Sequence, residues 1–312
     1  MFLQHMISKM RPENGGARLG IVFNGSPLFS GGAGRGESEI RKWIIEHDML
    51  EAIIALPDQL FYNTGISTYV WIVTNRKEKE RKGKIQLINA TAFFKKMAKS
   101  LGNKRNEIGE DHIAEITKIY GTLKNGEYCK IFKNEYFGYT RVTVERPLRL
   151  NFQASQERID KIEDKEIKKV LNRVSSTKIY KNREKFVSAV ETVGTRQASP
   201  VSKPAMKIIL KALSERDETA DICLDKNGNP EADTELRDAE NVPLSDDIEK
   251  YFKREVLPHV PDAWMDRSKD KVGYEINFTK EFYKYKPLRN LEEIRKDIIA
   301  LEKETEGLLK EI

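Results

Sequence analysis

Short apolar runs, separated by polar connections rich in glycine, fill the front of the chain. Phe2, Leu3, Met6, Ile7 and Met10 fall at helical spacing and predict a helix over residues 1–10, which Pro12 and the turn Asn14-Gly15-Gly16 bring to an end. Residues 19–23 are apolar throughout, which predicts a short, wholly buried strand that needs neighbours on both sides. Gly31, Gly32, Gly34 and Gly36 make the next connection flexible. Ile40, Trp43, Ile44 and His47 then share one face of a helix, with Glu37 and Glu39 where its dipole favours acids. Residues 51–57 predict a second buried strand, and residues 68–75 a third that is β-branched and aromatic on both faces. Residues 84–90 alternate less cleanly and predict an edge strand.

From about residue 106 the pattern changes: strands become rare and charged helical patterns dominate. Amphipathic helices are predicted over 111–124, 155–174 and 245–256, the last stopped by Pro258; a small hairpin over 128–144; and a linker or turn over 193–204. Leu291, Ile294, Ile298, Leu301, Thr305, Leu308 and Ile312 alternate at spacings of three and four, an a/d seam that seeks a helical partner in its own domain or in another chain. The fold class is therefore α/β followed by a mainly helical extension ending in a coiled-coil-like helix, with domains expected at 1–105, 106–288 and 289–312.

Of the 312 residues, 39% are hydrophobic and 33% charged, polar for a globular protein but enough for a modest core. The net charge of +6 says less than its distribution: residues 76–105 hold eleven Lys/Arg against two acids, and residues 215–249 hold three against thirteen. The basic run is either a solvated face or a surface for a polyanion. Cys129 and Cys223 are far apart and form no metal-ligand pattern, which suits a reducing cytoplasm. No apolar run approaches the length of a membrane span, and His5, Ser8, Lys9 and Arg11 interrupt any signal-peptide core.

Few motifs carry chemistry. Residues 31–38 (GGAGRGES) approach the phosphate-cradling pattern, but Glu37 stands where that pattern has its lysine and would repel phosphate. Asp225, Asn227, Asn229, Glu231 and Asp233 alternate like a calcium loop, yet Pro230 and Leu236 break its geometry, leaving a turn. His5, His47, His112 and His259 have no partner at ligand spacing, so no metal is expected. Phe61, Tyr62 and Asn63 lie between the second and third strands, where a loop aromatic either fills space or stacks on a base drawn from a duplex.

Taken together, several stretches carry a resemblance: Gln4-His5-Met6, GIVFNGSPLFSGGAGRGESEIR (20–41), LEAIIALPDQLFYNTGI (50–66), SLGNKR (100–105), VERPLRLNF (144–152), ELRD (235–238), VPL (242–244), LPHVPDAW (257–264) and FYKYKP (282–287). They resemble the modification subunit of type I restriction–modification systems. The resemblance implies methyl transfer from S-adenosylmethionine to adenine N6 in DNA, on a Rossmann-like sheet whose last two strands are antiparallel. Residues 51–57 and 68–75 fit that pair. The family places its glycine-rich cofactor loop and its Asn-Pro-Pro-aromatic tetrad upstream of these elements. This sequence has no Pro-Pro pair. The expectation is the C-terminal portion of the subunit, inactive alone, with no catalytic, cofactor-binding or metal-binding residue of its own. Phe61 or Tyr62 matches the family's base-holding aromatic, and Gly31, Gly32, Gly34 and Arg35 lie in its substrate-side loop. The resemblance also implies DNA and the specificity and restriction subunits as partners, with Leu291, Ile294, Ile298, Leu301 and Leu308 docking a companion helix. A different class is a non-enzymatic DNA-binding or assembly module, motivated by residues 76–105 and the terminal heptads.

Overall fold

The computed structural model describes residues 2–285 and 287–308. In chain order the first half holds α1 (Phe2–Ser8), β1 (Arg18–Asn24), α2 (Gly36–Glu46), β2 (Leu50–Ala55), β3 (Thr68–Thr74), β4 (Lys84–Asn89), β5 (Lys95–Leu101), β6 (Lys104–Glu107), α3 (Glu110–Thr122), β7 (Cys129–Lys133) and β8 (Gly138–Glu145). The second half holds β9 (Leu150–Phe152), α4 (Gln156–Asp160), α5 (Lys165–Leu171), α6 (Arg183–Arg196), α7 (Lys203–Leu213), β10 (Ser214–Arg216), β11 (Asp238–Pro243), α8 (Ile248–Tyr251), β12 (Trp264–Tyr274), α9 (Phe278–Phe282) and α10 (Leu291–Leu308).

Two compact units interleave along the chain: residues 1–28, 49–132 and 276–312 form the first, residues 29–48 and 133–275 the second. Contiguous boundaries at 105 and 288 do not follow this interleaving. The cause is specific. The buried Arg41 of α2 donates to the carbonyls of Tyr274 (2.8 Å) and Ser30 (2.6 Å), and Asn134 Nδ2 donates to Ile45 O at 3.0 Å, which ties residues 29–48 to the second unit. Phe278 of α9 instead packs edge-on against Tyr69 in the first unit, with ring centroids 5.4 Å apart.

The first unit is built on a five-stranded sheet in the order β1-β3-β2-β4-β7. β3 runs antiparallel to both neighbours, with Trp71 between Ile21 and Ile53, while β2 and β4 are parallel, with Ile53 beside Leu87. The expected antiparallel pair is thus β2 and β3. All six residues of β2 are buried, and α3 closes one face by setting Ile116, Ile119 and Tyr120 against Ile54, Val70 and Ile88.

Two strand expectations need correction. β1 is not wholly buried: it occupies one edge of the described sheet, alternate residues reach solvent, and Val22 is 48% exposed. β4 is not an edge strand, since it lies between β2 and β7 with Ile85, Gln86, Leu87 and Ile88 all buried. Gln86 broke the apolar pattern; it enters the core because Arg81 donates to its Oε1 at 2.9 Å and its Nε2 donates to Ile119 O at 3.0 Å.

The second unit corrects the expectation that strands become rare. β11, β8 and β12 form an antiparallel sheet in that order. The expected hairpin over 128–144 does not form, because β7 belongs to the five-stranded sheet and β8 to this one. β12 escaped notice because Asp266, Arg267, Lys269 and Asp270 fill its middle, where its register shifts between Asp266 and Lys271. The helices α4 to α7 pack around Phe152, Leu171, Phe186 and Leu213, and the Phe152 and Phe186 rings stack at 5.2 Å. The helix expected over 155–174 divides at Asp164, whose carboxylate caps α5 by accepting from Glu166 N (2.8 Å) and Ile167 N (3.1 Å). The loop at 225–230 is a turn closed on Asp225 Oδ1, which accepts from Asn227 N (2.8 Å) and Asn229 N (2.9 Å).

A carboxylate lies inside the first unit. The Glu51 side chain on β2 is 0% exposed, with Arg18 Nε of β1 at 3.2 Å and Arg81 Nε at 3.5 Å. The Tyr120 hydroxyl of α3 donates to the same carboxylate, and the Arg81 guanidinium lies 4.4 Å from the Tyr120 ring centroid. Replacing Glu51 by Ala strips the counter-charge from two arginines at once and is expected to destabilise the fold by about 3–5 kcal/mol, read as a lower urea midpoint. Burial, and then the Glu51 carboxylate, push the Tyr120 hydroxyl up to about 12 from an ordinary 10.0. Its contribution is therefore whole below pH ~10 and is lost as pH rises toward 12. Burial and Glu46 push Tyr274 in the second unit to about 12 as well. Urea midpoints followed from pH 9 upward should fall over that window, and Tyr120→Phe should remove the first unit's share of the loss.

Candidate nucleic-acid interface

The most developed surface in the first unit is the connection between β2 and β3, at the carboxyl end of β2. Gln59 takes a positive φ of 54°. Its N–H donates to Gly65 O at 3.3 Å, and its own carbonyl accepts from Arg105 N (2.9 Å) and Asn106 N (3.2 Å). Asn106 is buried and donates from Nδ2 to Asp58 O at 3.0 Å, while Asn103 N donates to Tyr62 O at 3.0 Å. The loop is thus locked at three points onto the β5–β6 hairpin. Gly102 opens that hairpin's two-residue turn with φ +60°, and a Cβ there would lie 2.6 Å from Tyr62 O.

What the locked loop presents is aromatic and cationic. Phe61 lies at the margin of exposure, Tyr62 is 63% exposed, and Asn63 also faces solvent. Lys104 Nζ lies 5.4 Å from the Tyr62 ring centroid. On the hairpin, Lys96, Lys99 and Arg105 are exposed and make no side-chain ion pair among the described residues. Lys95 is already engaged: its ammonium lies 2.9 Å from Asp111 and holds that carboxyl below the usual carboxylate range. The basic run is also thinner than its count. Lys77 and Arg81 are buried, and Lys77 Nζ donates to Lys84 O at 2.7 Å. A stacking ring on a fixed backbone, with unpaired cations beside it, suits a nucleic-acid strand; it holds no acid–base pair or activated nucleophile.

The remaining candidates lie elsewhere. Gly31, Gly32, Gly34 and Arg35 belong to the second unit, whereas Phe61, Tyr62 and Asn63 belong to the first. Gly31 and Gly34 both take φ +78°, and the Arg35 N–H closes the turn onto Gly32 O at 3.0 Å. Burial draws Arg41 below the usual arginine value, which Tyr139, Glu275 and Glu37 partly oppose, and its guanidinium holds the Ser30 and Gly31 carbonyls. A Cβ at Gly31 would meet the Glu37 carboxylate at 2.8 Å, so the acid folds over the turn that a phosphate-binding loop would keep open. On α10, Leu291, Ile294, Ile298 and Leu301 are all exposed, Leu291 at 81%; the Leu308 side chain and Ile312 lie outside the described residues. Sequence reasoning missed Gln59, Gly102 and Asn106, although Gly102-Asn103 between alternating segments is a hairpin signal.

The N-6 DNA Methylase family profile matches residues 1–146. A type I restriction enzyme MjaVII methylase subunit from Methanocaldococcus jannaschii is 36% identical over 167 residues, 50% of this chain and 28% of that protein. A type I restriction enzyme HindI methylase subunit from Haemophilus influenzae is 37% identical over 123 residues, 39% of this chain and 24% of that protein. The matched stretches thus span about a quarter of those relatives' length. A crystal structure of the type I restriction-modification system methyltransferase subunit from Streptococcus thermophilus is 26% identical over 44% of this chain and 26% of that one, with a TM-score of 0.37.

The lock between loop and hairpin is testable directly. Gly102→Ala adds a side chain at positive φ and against Tyr62 O, and is expected to cost about 1–3 kcal/mol. Amide exchange should show the loss of protection concentrated in residues 58–66 and 95–107.

Proposed function

We propose, from the match of residues 1–146 to the N-6 DNA Methylase family profile, that this chain is the C-terminal portion of a type I modification subunit, the part that touches DNA and companion subunits. The observation that carries the reading is Tyr62, exposed on a backbone-locked loop with Lys104 against its ring and Lys96, Lys99 and Arg105 on the adjoining hairpin. The ring offers a face for a base, and the cations neutralise phosphates. Gly31, Gly32, Gly34 and Arg35 form a second, weaker candidate contact in the other unit. The exposed apolar seam of α10 suits a helix of the specificity subunit.

S-adenosylmethionine is the methyl donor that the family implies, for the complete subunit. The residues present here do not fit it: the glycine-rich turn is occupied by the Arg41 guanidinium and the Glu37 carboxylate, and the sequence holds no Asn-Pro-Pro-aromatic tetrad. No step of methyl transfer is assigned to this chain's residues, which hold and position DNA. The complete system acts in the cytoplasm, with the restriction subunit as a further partner.

Replacing Lys96, Lys99 and Arg105 together by Ala should lower the log–log salt slope of DNA binding by roughly 2 to 3, measured by fluorescence anisotropy across a salt series. An unchanged slope would remove the proposed interface. Tyr62→Ala should cost about 1–3 kcal/mol of single-strand affinity. The purified chain alone should neither bind S-adenosylmethionine by calorimetry nor place tritiated methyl on plasmid adenines; either signal would overturn the division of labour. Ile298→Asp should weaken capture of the specificity subunit without altering DNA binding.

A further inference from the structure

Three stretches of the resemblance that the DNA-binding reading leaves idle, 144–152, 235–238 and 257–264, meet at one cavity of the second unit. Its volume is about 540 Å³, the size of a small-ligand site. Arg146, Pro147 and Arg149 line it from the connection between β8 and β9, Leu236 from the chain before β11, and Pro261 and Asp262 from the chain before β12. The first of these walls is fixed through its backbone on both sides. Arg146 O accepts from Asp233 N and Leu148 O from Cys223 N, each at 2.8 Å, while Leu148 N donates to Glu231 O at 2.8 Å. A ligand entering the cavity therefore meets a surface already ordered.

Most charges on these walls are answered within the chain. Arg216 grips Asp233 with Nε and Nη2, each at 2.8 Å, and also reaches Glu235. Arg149 donates to Ala220 O at 2.9 Å and to Asp262 Oδ2 at 3.2 Å. Asp217 Oδ1 accepts from Thr219 N (2.9 Å) and Thr219 Oγ1 (2.6 Å), and its Oδ2 accepts from Asn151 Nδ2 at 3.2 Å. Arg146 differs. Its guanidinium makes no hydrogen bond or ion pair among the described residues, and its Nε is buried without an acceptor. A buried donor left unmet is costly, and the planar fork of a guanidinium is met best by a carboxylate, through two parallel bonds. Glu218, an exposed lining residue, is likewise unpaired among the described residues.

The surroundings decide how much charge a guest can carry. Asp217, Glu218, Asp233 and Asp262 stand in the same walls as Arg146, so each further negative charge on the guest is repelled. That composition turns away a nucleic-acid backbone and a divalent phosphate, and admits a single negative charge. Pro147, Pro261 and the 40%-exposed Leu236 supply apolar surface beside it. We propose that this cavity binds a monoanionic carboxylate carried on a short apolar stem, with Arg146 gripping the carboxylate and Pro147, Leu236 and Pro261 covering the stem. A free short-chain acid and an acidic side chain on a polypeptide share this chemistry. The site belongs to the second unit and stands or falls independently of the loop and hairpin proposed to meet DNA.

The test titrates the full chain by NMR, following the arginine side-chain N–H signals, with three probes: sodium pentanoate, a blocked tripeptide with glutamate between two leucines, and inorganic phosphate. A carboxylate probe should bind saturably and phosphate should not. Binding of pentanoate alone assigns the guest to a free acid, binding of the peptide alone to a polypeptide, and binding of both to either source. Arg146→Ala should weaken carboxylate binding about ten-fold or more, and Arg146→Lys should not restore it, because an ammonium lacks the fork. The Arg146 side chain has no partner among the described residues, so its removal breaks no bond there; circular dichroism checks the fold. Should Arg146→Ala fail to fold, Arg146→Lys carries the same expectation of weaker binding. Glu218→Gln, at an exposed position, should tighten carboxylate binding about two-fold by removing a like charge. Absence of saturable carboxylate binding, phosphate binding as tight as pentanoate, parent-like binding in a folded Arg146 variant, or weaker binding in Glu218→Gln would each overturn the proposal.

Discussion

A single buried carboxylate organises the first unit. Glu51 sits in the middle layer of the sheet, where an ionised group is unfavourable unless its charge and lone pairs are all met. They are met by groups from three other places: Arg18 on β1, Arg81 in the turn before β4, and the Tyr120 hydroxyl on α3. None of the three can move away without exposing the acid to apolar surroundings. Arg81 is itself committed twice, to Glu51 and to Gln86 on β4. The edge strand, the central strand, the next parallel strand and the covering helix therefore share one electrostatic junction, and the carboxyl ends of β2 and β4 inherit their placement from it.

That placement is what makes the surface features intelligible. β2 and β4 end at adjacent residues, Ala55 and Asn89. The chain leaving β2 makes the locked loop that carries Phe61 and Tyr62, and the chain leaving β4 passes Thr91 and Phe93 before entering the basic hairpin, which returns to fasten the loop through Gln59, Asn103 and Asn106. Two chain segments leaving neighbouring strand ends thus build one platform. Its rigidity is backbone-made, so solvent-facing side chains can be altered for a test without dissolving the framework.

Legibility in the sequence followed the physics of each element. β2 and β3 were readable because burial on both faces leaves a nearly pure apolar run, and α3 because one face is apolar at helical spacing. β4 was misjudged through Gln86, a polar residue admitted to the core by hydrogen bonds that only the fold supplies. β1 failed in the opposite sense: Leu19, Ile21, Val22 and Phe23 look fully buried, but an edge position leaves Val22 exposed and the other three only half-buried. The strands of the second unit were hidden because β12 spends its charges on solvent and, through Lys269, on Oε1 of the buried Glu145, which Arg237 also reaches. At the candidate interface Tyr62 stood out as a residue type in a loop. Asn106 and Gln59 did not, since their roles exist only through backbone groups distant in sequence.

The chemistry of the loop and hairpin constrains what they discriminate. Ring faces and ammonium groups recognise features common to every nucleotide, a π surface and a phosphate, and these carry little information about which base is present. Base identity requires donors and acceptors fixed at the base edge. The loop and hairpin supply none that is oriented, since the hydrogen-bonding groups of Asp58, Gln59 and Asn106 are turned inward to hold the backbone. On the proposed reading, a surface so composed holds a strand with modest preference among bases. On the reading proposed above, selection of a particular DNA site falls to edge-reading groups on another polypeptide, a division of work that the exposed apolar seam of α10 suits.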